Sequence, residues 1–171
     1  MERGRFGLTV LAALAILAAY QLVRVYPLLP ERIAVHFGPE GRPDGWSGRL
    51  GFVLLYGAIE AVLVAFAAAT SRFADRLPTH LWNLPNRDYW LAPERRRESV
   101  AFVARTVVWI ENATLVFLIA LAEIVFRANL AHGPTRLPLP TVWAILVAFV
   151  AALTWLVVRI YARFRKPLIA R

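Results

Sequence analysis

Residues 50–70 read LGFVLLYGAIEAVLVAFAAAT, a stretch of 21 residues in which Glu60 is the single charged side chain. A bilayer core about 30 Å thick takes roughly 20 consecutive apolar residues of helix at 1.5 Å per residue. The stretch therefore has the length and composition of one membrane crossing. Three further runs of the same kind lie before and after it, at residues 6–26, 104–126 and 141–161. The whole chain carries the same signature. With 59% hydrophobic and 18% charged residues and a mean hydropathy of +0.55, its 171 residues hold more apolar surface than one water-soluble core buries. The sequence predicts an all-α integral membrane protein, a single domain over residues 1–171. Four transmembrane helices form a bundle with a compact outer loop at 27–49, and a cytoplasmic loop at 71–103 includes an interfacial helix.

The first run begins after Arg3 and Arg5 and contains small residues such as Ala18 and Ala19, features shared with secretory signal peptides. Its apolar stretch is longer than the 7 to 15 residues of a signal core and three more spans follow, so an uncleaved anchor is expected. The basic residues divide unevenly: 14 fall on the side of the N-terminus, the 71–103 loop and the C-terminal tail, and 6 on the other. By the positive-inside rule both termini are expected to face the cytoplasm, in a multi-pass protein of the cell (inner) membrane. The net charge of +9 then reflects topology and contact with anionic headgroups of the lipid bilayer. No basic stripe with interleaved aromatics points to nucleic acid. The chain has no cysteine, which excludes disulfides and thiolate metal sites.

The outer loop is compositionally unlike its surroundings. Residues 29–46 read LPERIAVHFGPEGRPDGW. Pro27 and Pro30 stop the first helix, because proline lacks an amide donor and disfavours helix in the residue before it. Ile33, Val35 and Phe37 alternate with Ala34 and His36, an extended pattern with one apolar face. Gly38, Gly41, Pro43 and the Asp44-Gly45 pair supply turn chemistry. Trp46 precedes the second span, where an indole suits the membrane interface. The expected result is a folded loop.

Leu29, Pro30, Ile33, His36, Phe37, Gly41, Asp44, Gly45 and Trp46 together form a pattern that resembles the small bacterial membrane proteins grouped as domain of unknown function 1648. That module also occurs in the sporulation-delaying-toxin immunity proteins. A second stretch, NLPNRDYWLAPERR at 83–96, is similar to one that recurs in the same group. The resemblance covers about the first 100 residues and implies a membrane location without an agreed chemistry.

Candidate site residues fall into three groups. In the outer loop, His36, Glu40, Asp44 and Trp46 are candidates for binding a ligand or partner. A metal-binding or pH-sensing His36, with Glu40, Asp44 and His132 around it, stands beside a structural His36 that braces Asp44 or a backbone carbonyl. One histidine per loop is a weak metal signature and no metal or other cofactor is assigned. On the cytoplasmic side, Asn86, Asp88, Tyr89, Trp90 and Glu94 lie where an interfacial helix would anchor the loop to lipid or offer a polar site to a partner. Within the spans, Glu60, Arg105, Glu111, Asn112 and Glu123 need an account because charge in hydrocarbon is costly. At about 100° per residue Arg105, Asn112 and Glu123 share one stripe of the third span, and Glu111 points about 100° away. Glu60 and Glu111 are expected to be neighbours in the bundle, protonated or hydrogen-bonded.

No HExxH, GxSxG or GxxxxGK[ST] motif occurs, so no catalytic residue is assigned. The residues predict a non-enzymatic binding or regulatory membrane protein, receptor- or immunity-like, acting through the outer loop. The competing expectation is a small proton-coupled transporter that uses Glu60 and Glu111. A protein or peptide is the expected partner, and a second copy of the chain is a further candidate.

Overall fold

The computed structural model describes residues 2–130 and 135–165. Its order is α1 (Glu2–Val25), a hairpin of β1 (Arg32–Phe37) and β2 (Pro43–Gly48), then α2 (Arg49–Phe73), the single turn α3 (Arg87–Trp90), α4 (Pro93–Leu130) and α5 (Leu139–Arg163). Helices α1, α2, α4 and α5 are each long and apolar enough to cross a membrane. The chain is thus a multi-pass membrane protein built as a helix bundle. Short 3-10 turns at Tyr26–Leu28, Ala74–Arg76 and Thr79–Leu81 punctuate the connections.

Helix α1 ends before Pro27, and the chain continues as a 3-10 turn with Pro27 near its start, where a missing amide costs nothing. At the far end of the hairpin, Arg49 closes the gap between the first two spans. Its amide donates to Glu31 O at 2.8 Å, its guanidinium to Leu29 O at 3.0 Å, and that guanidinium also lies 4.9 Å over the Tyr26 ring. Helix α4 is the longest element because it joins the expected third span to the basic stretch Arg95–Arg97 without a break.

Two apolar clusters hold α1, α2 and α4 together. Near the hairpin, Val25, Leu29 and Ile33 meet Tyr56 of α2 and Ala122 and Phe126 of α4. Phe52 stacks parallel to Tyr56 at 6.1 Å, and both meet Phe126 edge-on. Toward the other end, Leu11 meets Ala67 of α2 and Val108 and Leu115 of α4. Helix α5 packs chiefly on α4, with Phe117 stacked on Phe149 at 4.4 Å and Phe102 edge-on to Phe164 at 5.9 Å. Among the four long helices it is the least buried, which leaves it set apart from α1 with a groove between them.

Candidate functional site

The hairpin is pinned from three directions. Ala34 is fully buried, and its amide donates to Asn129 Oδ1 at 2.8 Å while its carbonyl accepts from Asn129 Nδ2 at 3.0 Å. One side chain at the end of α4 thus serves as the missing third strand for that residue. Gly41 O accepts from the Leu137 amide at 2.9 Å, which ties the hairpin tip to the connection before α5. Arg49 fixes its base, as described above. The reversal itself lies at Gly38–Arg42: Gly38 N donates to Arg42 O and Gly41 N to Gly38 O, both at 2.8 Å, with Gly41 at φ 74°. Asp44-Gly45 is therefore not the turn. It sits within β2, where Gly45 faces His36 at an irregularity in the register and a Cβ on Gly45 would come 2.6 Å from His36 Cβ.

This scaffold sets out an exposed face. His36 Nδ1 donates to Asp44 Oδ1 at 2.5 Å across the strands, with 74% and 51% of their side chains exposed. Trp46 is 40% exposed and carries the Arg32 guanidinium 5.6 Å from its ring. Glu40 is exposed at the tip and does not join the His36–Asp44 pair. His132 lies outside the described residues. Among the described residues no group of three or more His, Cys, Asp or Glu converges on a metal-sized site.

The 83–96 stretch divides by role. Asn86, held at φ 53°, donates from Nδ2 to Phe164 O at 3.0 Å, and Trp90 Nε1 donates to the same oxygen at 3.1 Å. Trp90 also meets Phe164 edge-on and lies under the Arg163 guanidinium at 4.8 Å. These two residues clamp the end of α5, whose carbonyls have no helical partner there. Tyr89 stacks edge-on against Trp90 and under the Arg95 guanidinium at 4.0 Å. Among the described residues Asp88 pairs only with its neighbour Arg87, and Glu94 is exposed. Among the described residues no hydrogen bond joins Asn86, Asp88 and Glu94 to one another.

Inside the bundle, Glu123 accepts from Arg127 at 2.8 Å, from Gln21 at 3.0 Å and from Arg24 at 3.4 Å. Gln21 Oε1 in turn accepts from the Tyr56 hydroxyl at 3.4 Å, and Glu60 lies one helical turn further along α2. Asn112 donates to Gly7 O at 3.1 Å, and Arg105 is exposed. Glu60 Oε1, Glu111 Oε2 and Asn112 Oδ1 are buried without a hydrogen-bond partner among the described residues. Glu60 and Glu111 are not joined by a hydrogen bond. Counting from Leu50 and Phe126 treats those ends as level, whereas Tyr56 shares a cluster with Ala122 and Phe126 and Ala67 shares one with Val108 and Leu115. That register puts the two glutamates about 8 residues apart along the bundle, roughly 12 Å at 1.5 Å per residue. The expected neighbourhood of the two glutamates is thus without a direct contact in the structure.

Asn129 and Gln21 were not among the residues singled out from the sequence. Both are amides near the ends of apolar runs, which is a signal, but their partners lie about a hundred positions away in the chain. No curated protein and no solved structure matches the chain. Residues 8–60 match the family described as domain of unknown function (DUF1648). The matched segment covers most of α1, the whole hairpin with its turn at Gly41, and α2 as far as Glu60. These residues, the ones that build and pin the hairpin, carry the chain's similarity to the DUF1648 family, over 8–60 of its 171 residues.

Proposed function

We propose that the chain is a non-enzymatic binding or regulatory membrane protein that recognises a peptide or protein segment through the exposed face of its hairpin. The observation that supports this reading is a small polar and aromatic face, Arg32, His36, Asp44 and Trp46, carried on a hairpin that three separate contacts immobilise. A pre-organised surface loses little entropy on binding, which is how a short loop becomes a recognition element. An immunity-like role, in which the hairpin intercepts a peptide at the outer surface of the inner membrane, is one form of this function. The positive-inside bias supports a topology with both termini in the cytoplasm and the hairpin outside. A photoreactive residue at position 46 should then cross-link a discrete polypeptide in intact cells, and His36→Ala should reduce that product several-fold without changing protein abundance. A residue at Leu54, on the lipid-facing side of α2, should give no such product. Equal cross-linking from both positions would refute the reading.

A second reading rests on a different observation. Glu60 and Glu111 each keep an unpartnered oxygen at membrane depth, and ionisable groups there mark ion or proton pathways more often than packing alone requires. In this reading the protein is a small proton-coupled carrier. Purified protein in liposomes should then acidify the lumen under an imposed gradient, and Glu60→Gln and Glu111→Gln should each abolish that flux while leaving the fold intact. Flux unchanged by both substitutions, or absent from the native protein, would remove this alternative.

A further inference from the structure

The groove between α1, α4 and α5 encloses about 770 Å³ and opens sideways between helices, at a depth where the solvent is lipid. Its floor is Ala113 and Val116 of α4, and its walls are Val10 and Leu14 of α1 and Ala152 and Trp155 of α5. A second hollow of about 480 Å³ shares Leu14, Val116 and Ala120 with it and continues toward Gln21, Arg24 and Glu123. The pairings Phe117 with Phe149 and Phe102 with Phe164 fix how α5 runs past α4. By that register Arg159 lies level with residue 107 and Ile145 with residue 121, so the main groove is about 21 Å long at 1.5 Å per residue. That length exceeds one leaflet's share of the hydrocarbon core, about 15 Å. Apart from Asn112, Trp109 and Arg159 the lining is apolar, so hydrocarbon suits most of its length.

Among the described residues that line the groove Arg159 is the one cation, and it lies one turn before the end of α5. Arg159 is exposed at the end of the groove near the basic cytoplasmic-type loop, and its guanidinium lies 4.7 Å over the Trp155 ring. Its neighbour one turn on, Arg163, pairs with Glu98, whereas Arg159 has no carboxylate within ion-pair distance among the described residues. A guanidinium held over an indole at that level is complementary to a phosphate diester. The same charge argues against a second copy as occupant: α5 contains no acidic residue to bring to Arg159.

We propose that this groove binds an anionic phospholipid of the leaflet on the basic side, its phosphate on Arg159 and one acyl chain along Ala113, Val116 and Ala152. The site is separate from the hairpin, so its test does not depend on the hairpin's ligand. The experiment is native mass spectrometry of the full chain released from mixed phosphatidylglycerol and phosphatidylcholine. The native protein should retain one phosphatidylglycerol, favoured about fivefold for the contribution of one arginine near a membrane surface. Arg159→Gln should erase the preference. Ala152→Phe should displace the lipid by filling the groove, with circular dichroism as the check that helices persist. Arg72→Gln removes an exposed cation of the same end outside the groove and should keep the preference. Retention unaffected by Arg159→Gln would overturn the proposal, as would an equal loss in Arg72→Gln, which would mean a diffuse basic collar. The absence of cysteine allows one more arm: efficient disulfide dimerisation of Ala152→Cys in bilayers would show a second copy in the groove and also overturn it.

Discussion

Asn129 shows how much a single side chain can decide in a membrane protein. It accepts from one backbone group of Ala34 and donates to the other, and its Nδ2 also donates to Val125 O at 2.9 Å. Truncation would strand an amide and a carbonyl in a fully buried position, where each unsatisfied group costs about 1–3 kcal/mol. Asn129→Ala should therefore destabilise the protein by about 2–4 kcal/mol in detergent unfolding titrations, and Asn129→Asp, which keeps the acceptor, should fall between it and the native chain. The His36–Asp44 pair is the opposite case. It is short but exposed, and exposed pairs are worth about 0–1 kcal/mol. His36→Ala and Asp44→Ala should each cost at most about 1 kcal/mol, with the double mutant losing less than the sum. Strictly additive losses would show that the two residues do not brace each other, and both would then be free for recognition.

At the scale of elements, glycine positions distinguish the turn from the strand. Gly41→Ala would place a Cβ 2.9 Å from Leu137 O on a backbone at φ 74°, a conformation that costs a side-chain-bearing residue about 1–2 kcal/mol before any clash. Gly45→Ala would press on His36, whereas a Cβ on Gly48 meets nothing within 4 Å. The expected order of melting temperatures is Gly48→Ala highest, then Gly45→Ala and Gly41→Ala well below it; a loss at Gly48 as large as at Gly41 would contradict this account of the hairpin. The four long helices were legible from hydropathy because lipid requires some 20 apolar residues in a row and little else in sequence mimics that. The hairpin was legible as an extended segment with turn residues, yet its turn chemistry runs from Gly38 through Asp44-Gly45, and local pattern does not say which of these residues make the reversal. What local pattern cannot supply is the partner. Asn86 and Trp90 look like an interfacial polar cluster until Phe164, more than seventy residues on, is seen to need their donors. Glu60 and Glu111 look like partners, yet each keeps a buried oxygen without a hydrogen bond among the described residues.

For the whole molecule, the arrangement divides labour between the two ends. The hairpin end is immobilised by side chains that substitute for missing backbone partners: Asn129 for a third strand, Arg49 for a continuous connection. The other end is bound by arginines that lie over aromatic rings, Arg95 on Tyr89, Arg159 on Trp155 and Arg163 on Trp90, and by Arg96, whose guanidinium donates to Thr79 Oγ1 and to Asp75 O. Cations over rings also occur at the hairpin end, Arg49 on Tyr26 and Arg32 by Trp46, so what separates the two ends is the basic bias, 14 of 20 residues on one side. The proposed orientation, with the hairpin outside, therefore rests on the charge bias alone. The cysteine-free chain makes the test direct. A membrane-impermeant maleimide should label Glu40→Cys in intact cells and Arg87→Cys only after the membrane is opened, because the first residue sits at the exposed hairpin tip and the second in the connection between α2 and α4. Labelling of both residues in intact cells would rule out an odd number of spans between them, and with it the membrane crossing by α2. Labelling of Arg87→Cys alone would invert the orientation, leaving the hairpin in the cytoplasm and its proposed extracellular partner without access.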